Sequence, residues 1–245
     1  MTNKHQKLAP AKRARDLTLE DRRELLQQLD WGENLSETSL DRLAESCVAF
    51  DFRRRRFIYR AGEPADSLFA IAQGRIKLCR LEQDSDREAV IDILSRGSLF
   101  GESGLYSTAG LRENCAIAYE QTLLLKIPVA AFQESMAMDQ LLHNYTFRLI
   151  GQRLENAERR LADFALNAIP RRLERMLVEF SERYGVEEDR GVLIDIPLPH
   201  REIASIVGST RESVTVRLNA MRREGTIDFV NRKILVKRPM GMAAS

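Results

Sequence analysis

Only three cysteines occur in 245 residues, Cys47, Cys79 and Cys115, and none lies in a C-x-x-C or other close pair. That excludes the disulfide framework of a small secreted domain and the paired thiols of a zinc or redox motif, and it suits a reducing compartment. Long apolar runs are missing too, since no stretch approaches the ~20 apolar residues that a membrane span needs. The opening segment MTNKHQKLAPAKRARD is polar and lacks the apolar core of a secretion signal. A soluble, cytoplasmic protein with no membrane contact is expected. Charge of one sign is scarce as well: the net value is +2, so a uniformly basic nucleic-acid coat is ruled out and any contact with a polyanion must come from a local patch. There is no P-loop spacing, metal cluster or nucleophile beside a base. Scattered Ser, His and Asp are expected in any chain of this length, so no catalytic residue and no metal site is assigned and an enzyme is not expected.

What is present is a strong hydrophobic pattern, 44% of the chain, enough to bury the core of one large domain or two smaller ones. Residues 1–30 read as a basic N-terminal extension. Its first part carries Lys4, Lys7, Lys12, Arg13 and Arg15 with no acid and no apolar periodicity, the composition of a disordered arm. Short helices are expected near Leu17–Leu29 and Ser36–Val48. The rhythm then changes to short apolar runs, FIYRAG, SLFAIAQG, RIKLCRL, AVIDILSRG, SLFGESGLY and TLLLKIP, with Gly62, Gly74, Gly97, Gly101 and Gly104 at the breaks. Closely spaced short strands of this kind indicate an antiparallel β-roll, a jelly roll, over about 31–135. The run Arg53 to Arg56 reads as a solvated strand face.

A long helix is expected over 136–168. Phe147, Ile150, Leu154, Ala157, Leu161 and Phe164 recur in steps of three and four, a heptad seam flanked by Arg148, Arg153, Glu155, Glu158, Arg159 and Arg160. A stripe this narrow can pack on its own domain or against a second copy. The helix is long, lies between two domains and has charged flanks, so the reading is a parallel dimer seam. Pro170 ends it, because the residue before a proline is pushed out of the helical region. An amphipathic helix over Arg171–Tyr184, an acidic turn VEEDRG and a strand VLIDIPL follow, opening a second domain over 169–245.

The most informative segment is PHREIASIVGSTRESVTVRLNAMRREG. Ala204, Gly208 and Val214 stand where two crossed helices need a small contact residue, a turn glycine and an apolar anchor, with Ile203, Ile206, Val207 and Leu218 inward. Ser209 and Thr210 are candidate caps, with Glu212 placed for a capping box on Ser209. At 100° per residue Val214, Leu218 and Met221 share one side of the second helix, and Arg211, Glu212, Thr215, Val216 and Asn219 the other. On that outer face an arginine can bond guanine edges and a carboxylate can accept from cytosine, which reads sequence and not only charge. His200, Arg201, Ser209 and Thr210 sit where helix starts meet phosphates. GTIDFVNRKILVKRP then reads as two strands joined at Asn231 and Arg232, the hairpin of a winged helix. Between Ser209 and Arg238 stand Arg211, Arg217, Arg222, Arg223, Arg232, Lys233, Lys237 and Arg238 against Glu212, Glu224 and Asp228, a basic patch drawn to double-stranded DNA.

In this order of parts the chain resembles the cyclic-AMP receptor protein and FNR (CRP/FNR) family from about residue 31 to 238. The implied fold is α+β: a cyclic-nucleotide-binding-like β-roll, a long dimerisation helix and a C-terminal winged helix-turn-helix. GSTRESV is similar to the family's recognition-helix opening, and LFGESGLY with Arg112 to its phosphate-binding cassette. The resemblance implies a homodimeric transcription regulator on palindromic operators that recruits or blocks RNA polymerase. It implies an effector site of Gly101, Glu102, Ser103, Arg112, Glu113, Asn156 and Ala157, in which the arginine holds a cyclic phosphate and the glutamate a ribose hydroxyl. Gly101 lets a ligand approach the backbone, and the fork of Arg112 suits a phosphate.

Departures from the family pattern leave the effector open. The nucleotide binders usually carry Ser or Thr and then Ala after the arginine, whereas Glu113, Asn114 and Cys115 stand here, and a carboxylate at Glu113 would repel the ligand or pair with Arg112. Asn156, Ala157 and Glu158 stand where cyclic-AMP binders use hydroxyl residues. Cyclic AMP, another nucleotide or small ligand, and a ligand-independent protein with a structural Glu102–Arg112 ion pair all remain. No cysteine precedes Cys47, which argues against the iron–sulfur cluster of the oxygen-sensing branch. The three cysteines read as small buried hydrophobes. Nothing in the spacing of His5, His143 and His200 favours haem. Family members usually place an arginine five residues after the one matching Arg211 and an apolar residue next; Val216 then Arg217 reverses them, so the half-site should differ from TGTGA at one position. The competing function, a cyclic-nucleotide sensory module acting on a protein partner, has no use for a groove-reading helix.

Overall fold

The computed structural model describes residues 17–82 and 87–237, together with the backbone of Lys12–Arg13. Lys4, His5, Lys7, Arg15 and Arg238 lie outside the described residues. The chain divides into two compact units, residues 1–155 and 156–245.

In the first unit, β1 (Lys12–Arg13), α1 (Leu19–Gln27) and α2 (Glu37–Ser46) precede β2 (Val48–Phe52) and β3 (Phe57–Tyr59). Next come β4 (Ser67–Gln73), β5 (Arg75–Leu81), β6 (Glu88–Ser95), β7 (Leu99–Phe100), the short α3 (Ser103–Tyr106), β8 (Cys115–Ala118) and β9 (Thr122–Pro128). These are followed by α4 (Val129–Met138) and α5 (Gln140–Leu166), which runs on into the second unit. The strands form two sheets, β1-β2-β9-β4-β7 and β3-β8-β5-β6, antiparallel throughout. This is the expected roll.

Alternation along β4 explains why the first sheet is covered on both faces. Phe69 and Ile71 meet Phe52, Phe100 and Leu124 of the same sheet and Tyr59, Ile76, Leu78, Ala116 and Ala118 of the other. Leu68 and Ala70, pointing the opposite way, join Ala49, Leu125 and Ile127 in a second cluster under the helices, with Leu26, Leu29, Trp31, Leu40, Leu43, Phe132 and Leu142. A strand buried on both faces cannot alternate apolar with polar, hence the unbroken run SLFAIA.

Several expectations are corrected. The residues from 17 to 30, grouped by sequence with the basic extension, belong to the roll's core: Leu26 and Leu29 are fully buried, and Thr18 and Asp21 cap α1 reciprocally. Lys12 and Arg13, read as part of a disordered arm, pair through their backbone with Asp51 and Phe50. The second helix stops at Ser46, and Val48 opens a strand that was not foreseen. Arg53–Arg56 is no strand face; it is the turn from β2 to β3, with Arg55 at φ 66° and its N–H donated to Ala118 O at 2.7 Å.

The second unit follows α5 with α6 (Ile169–Tyr184), whose Leu173, Met176, Leu177, Phe180 and Tyr184 form its buried face. Pro170 sits in the first turn, where a missing N–H costs nothing. The segment read as an acidic turn supplies β10 (Gly185–Glu188), the hairpin partner of β11 (Gly191–Ile194), which is the strand expected at VLIDIPL. Then come α7 (His200–Val207), α8 (Arg211–Arg223), β12 (Ile227–Val230) and β13 (Lys233–Lys237), giving a sheet in the order β10-β11-β13-β12. No helix among the described residues is long and apolar enough to cross a membrane.

Candidate nucleic-acid interface and cassette

The helix-turn-helix is built by burial. Ile203, Ala204, Ile206 and Val207 face inward from α7, and Val214, Leu218 and Met221 from α8. Between them Gly208 takes φ 64°, ψ 55°, and Ser209 N–H closes back on Ala204 O at 2.9 Å. A side chain is refused there twice over, by the left-handed backbone and by space, for a Cβ would lie 2.4 Å from the Phe164 ring. Gly208→Val should therefore destabilise the second unit by about 1–3 kcal/mol from backbone strain alone. A thermal melt with an unshifted transition would refute that account of the turn.

Thr210 is the N-cap of α8: its hydroxyl accepts from Ser213 N–H at 3.2 Å. The capping box foreseen on Ser209 and Glu212 is not formed; Ser209 Oγ is buried without a partner, and Glu212 is exposed. Arg211, Glu212, Val216 and Asn219 are exposed along one face, Val216 at 68%. Thr215 is half-buried and held from both sides. Its hydroxyl donates to Arg211 O at 2.7 Å and meets His200 Nδ1 at 2.8 Å. With its one proton given to the carbonyl, the hydroxyl accepts from Nδ1–H, which leaves Nε2 of the neutral ring an acceptor. A phosphate contact from His200 thus requires the imidazolium.

Burial, then the Arg211 charge, holds the His200 pKa below its ordinary 6.5. A depressed value means that the unfolded chain takes up the proton first as pH falls. The stability contributed by the neutral ring is complete above about 6.5 and is lost as pH drops through the lower folded value. The fall in thermal midpoint from about pH 7.5 to 5.5 should be shallower in His200→Gln than in the parent chain. Parallel profiles would show that His200 is not the titrating group.

The basic patch is narrower than the sequence count. Arg217 is tied to Glu174 and Glu224, each at 3.1 Å, Arg222 to Asp228 at 3.2 Å, and Lys233 to Asp195. Among the described residues Arg211, Arg223, Arg232 and Lys237 form no ion pair. Arg232 stands at the tip of the wing, where Asn231 (φ 49°) and Arg232 (φ 66°) make the two-residue turn between Val230 and Lys233. Two successive positive φ values are those of a type I′ turn, matched to strand twist. Arg201 is exposed at the start of α7.

In the first unit the cassette lies between β7 and β8. Arg112 is 3% exposed; its guanidinium donates to Gly101 O at 2.8 Å and Ser67 O at 2.5 Å and lies over the Tyr59 ring at 4.4 Å. Gly101, at φ 84°, leaves it room, since a Cβ would come within 2.8 Å of that guanidinium. Glu102 is buried, and its partner is Arg153 of α5 at 2.7 Å, not Arg112. The structural Glu102–Arg112 pair is therefore not formed, and Arg153, expected to flank the seam, turns to the cassette and also reaches Leu99 O at 2.9 Å. Glu113 neither pairs with Arg112 nor crowds it: it is exposed and bound to Arg80 at 3.1 Å. Ser103 is half-buried at the start of α3. Glu102 Oε2 and Arg112 Nε are buried with no hydrogen-bond partner among the described residues. In the second unit Asn156 accepts from Arg159 of its own helix, and Ala157 is exposed.

Along α5, Phe147, Leu154 and Leu161 are 76%, 60% and 71% exposed, Ala157 is exposed and Ile150 half-buried. Phe164, assigned to the same seam, is also engaged inside its own unit, under Arg172 at 4.7 Å and against the Gly208 turn. That engagement was not legible, because Gly208 stands far along the chain and Arg172 lies on a separate helix.

Known proteins carry the same arrangement. The model of the cyclic nucleotide-binding domain matches residues 49–139, and that of the Crp-like helix-turn-helix domain residues 171–245. The chain belongs to the CRP/FNR family of transcription regulators. A CRP-like cAMP-activated global transcriptional regulator of Mycobacterium tuberculosis is 24% identical over 87% of this chain and 94% of its own. A global nitrogen regulator of Synechococcus elongatus is 27% identical over 78% and 86%. Among solved structures, the c-di-GMP responsive global regulator CLP of Xanthomonas campestris covers 83% of this chain and 100% of its own, with a TM-score of 0.72 at 22% identity. FixK2 of Bradyrhizobium japonicum covers 81% and 99%, with a TM-score of 0.70 at 20%. As a CRP/FNR regulator, the protein is a DNA-binding transcription factor and not an enzyme.

Proposed function

We propose that the chain works as a homodimer on two-fold symmetric operators, with α8 in the major groove and a small ligand in the β-roll adjusting its activity. The observation that carries the reading of DNA is the outer face of α8. It presents Arg211, Glu212, Val216 and Asn219 to solvent, while Arg217 is withdrawn into ion pairs with Glu174 and Glu224. Arg211 then reads guanine and Glu212 cytosine N4, while Val216 meets a thymine methyl. Thr210, Arg201 and the wing at Arg232 lie toward the backbone, the Ser209 hydroxyl being buried, His200 positions Thr215, and steering is left to Arg211, Arg223, Arg232 and Lys237, which form no ion pair among the described residues. Arg217 cannot replace the missing arginine at 216, which supports a half-site that departs from TGTGA at one base pair.

Symmetry is supported by α5, where an exposed stripe of Phe147, Leu154 and Leu161 on one helix can be self-complementary about a two-fold axis. Phe164 takes part in the seam only over its exposed half. Ligand control is supported by the cassette, where Glu102 Oε2 is an open acceptor and Arg112 Nε an open donor, both buried. A hydroxyl and an anionic oxygen complement them, as on a nucleotide. The M. tuberculosis relative is described as cAMP-activated and the Xanthomonas one as c-di-GMP responsive; both nucleotides offer the hydroxyl and anionic oxygen that this pair of orphans suits. Asn156 and Ala157 offer no hydroxyl to a purine. RNA polymerase in the cytoplasm is the expected partner on DNA.

Selection of bound duplexes from random DNA, with and without cyclic AMP and cyclic di-GMP, tests both parts. Recovery of an inverted repeat whose affinity moves with one nucleotide supports the whole reading. Recovery of direct or single sites refutes the symmetric dimer.

A further inference from the structure

The strand register brings together two of the three cysteines. β5 and β8 pair antiparallel with Cys79 directly opposite Cys115. Residues so placed project to the same face, with Cα atoms roughly 4.5 Å apart in a non-hydrogen-bonded pair and 5.5 Å in a hydrogen-bonded one. Both values fall inside the roughly 4.4–6.8 Å that a disulfide spans. Ile76, Leu78, Ala116 and Ala118 line the core between the sheets, so the cysteines lie on the other face of their sheet. Even there Cys79 is 0% and Cys115 4% exposed.

On that face the surroundings are polar. Lys77 and Glu88 form an ion pair at 2.6 Å, both largely buried, and the Glu88 carboxylate stands beside the Cys79 thiol. Cys115 Sγ accepts the Ala61 N–H at 3.5 Å. The following residue, Gly62, donates to Arg112 O at 2.8 Å. The thiol pair is thus joined to the turn that holds the backbone of the cassette arginine.

We propose that Cys79 and Cys115 form a cross-strand dithiol that a hydroperoxide closes to an intrachain disulfide next to the cassette. Cys115, which keeps some exposure, reacts first: its sulfur attacks the terminal peroxide oxygen, the O–O bond breaks, and a sulfenic acid forms with release of an alcohol, or of water from hydrogen peroxide. The Cys79 thiol is a poor starting nucleophile, because burial and the neighbouring carboxylate push its pKa far up. Its role is to resolve. The Cys79 sulfur attacks the Cys115 sulfur, its proton passes by way of Glu88 to the departing hydroxyl, and the sulfenic oxygen leaves as water. Two thiols lose two electrons in all, and the peroxide accepts them. The new bond locks β8, the strand that leaves the cassette, to β5. Cys47 takes no part; it belongs to the cluster beneath the helices.

The test uses the full chain, reduced and then exposed to hydrogen peroxide. Thiol titration after denaturation should fall from three to one per chain, and an unreduced digest should contain the Cys79 peptide joined to the Cys115 peptide, reversibly with dithiothreitol. Cys47→Ala should form the same link. Cys79→Ser should leave Cys115 as a sulfenic acid that dimedone captures, whereas Cys115→Ser should keep Cys79 reduced. A parent chain that retains three thiols, or one whose link involves Cys47 or joins two chains, overturns the proposal without recourse to any variant. Oxidation of Cys79 in the Cys115→Ser chain overturns the order of attack.

Discussion

Leu161→Glu is expected to turn the dimer into a monomer and, with that, to remove tight operator binding. Leu161 is 71% exposed in the single chain, so the substitution leaves the fold of the unit intact and acts on association alone. A leucine side chain buried between two helices contributes about 1.5–3 kcal/mol. Two-fold symmetry counts the change twice, and the pair of like charges brought together at the axis adds a desolvation cost. A monomer then engages one half-site in place of two and loses the gain in effective concentration that links them. Sedimentation equilibrium reads the first effect and anisotropy on an inverted-repeat duplex the second. Persistence of the dimer in Leu161→Glu would place the subunit contact elsewhere, and Glu158→Gln on the flank serves as the neutral comparison.

Arg211→Ala should cost about 1–3 kcal/mol at each half-site, the value of a bidentate contact with guanine, or roughly 5- to 150-fold per site. The effect should be selective. Arg211 is exposed at the first turn of α8 and forms no ion pair among the described residues, so its removal disturbs neither packing nor a salt bridge. Arg223→Ala, by contrast, should weaken all duplexes alike and reduce the salt dependence by about one counterion, the mark of a phosphate contact. Equal losses on operator and scrambled DNA in Arg211→Ala would show that it is a phosphate ligand and that the face has been misread.

Much of this was legible without coordinates, for reasons of range. The crossed helices, the turn at Gly208, the wing turn at Asn231 and Arg232 and the apolar stripe on α5 depend on residues close in sequence, whose period and turn chemistry can be read directly. The strands β2 and β8 were missed because VAFDF adjoins a helix and CAIA is short and made of small residues. The cap of α8 stays open in the sequence, since Ser209 and Thr210 are chemically equivalent candidates and only the backbone at Thr210, extended at ψ 154°, decides between them.

Charge pairing was the least legible feature. Arg217 and Arg211 look alike in the sequence, yet one is bound to Glu174 across the unit and the other forms no ion pair among the described residues. Glu102 and Arg112 looked like natural partners, and Arg153 took the glutamate while two carbonyls took the arginine. Composition, period and glycine placement by themselves determined the β-roll, the long helix and the exposed outer face of α8, because those properties are local. Which charges stay open, which cysteines face one another and which carboxylate meets which arginine were decided only by tertiary structure, because an ion pair or a thiol pair depends on distance, and distance between remote residues is set by strand register and helix packing.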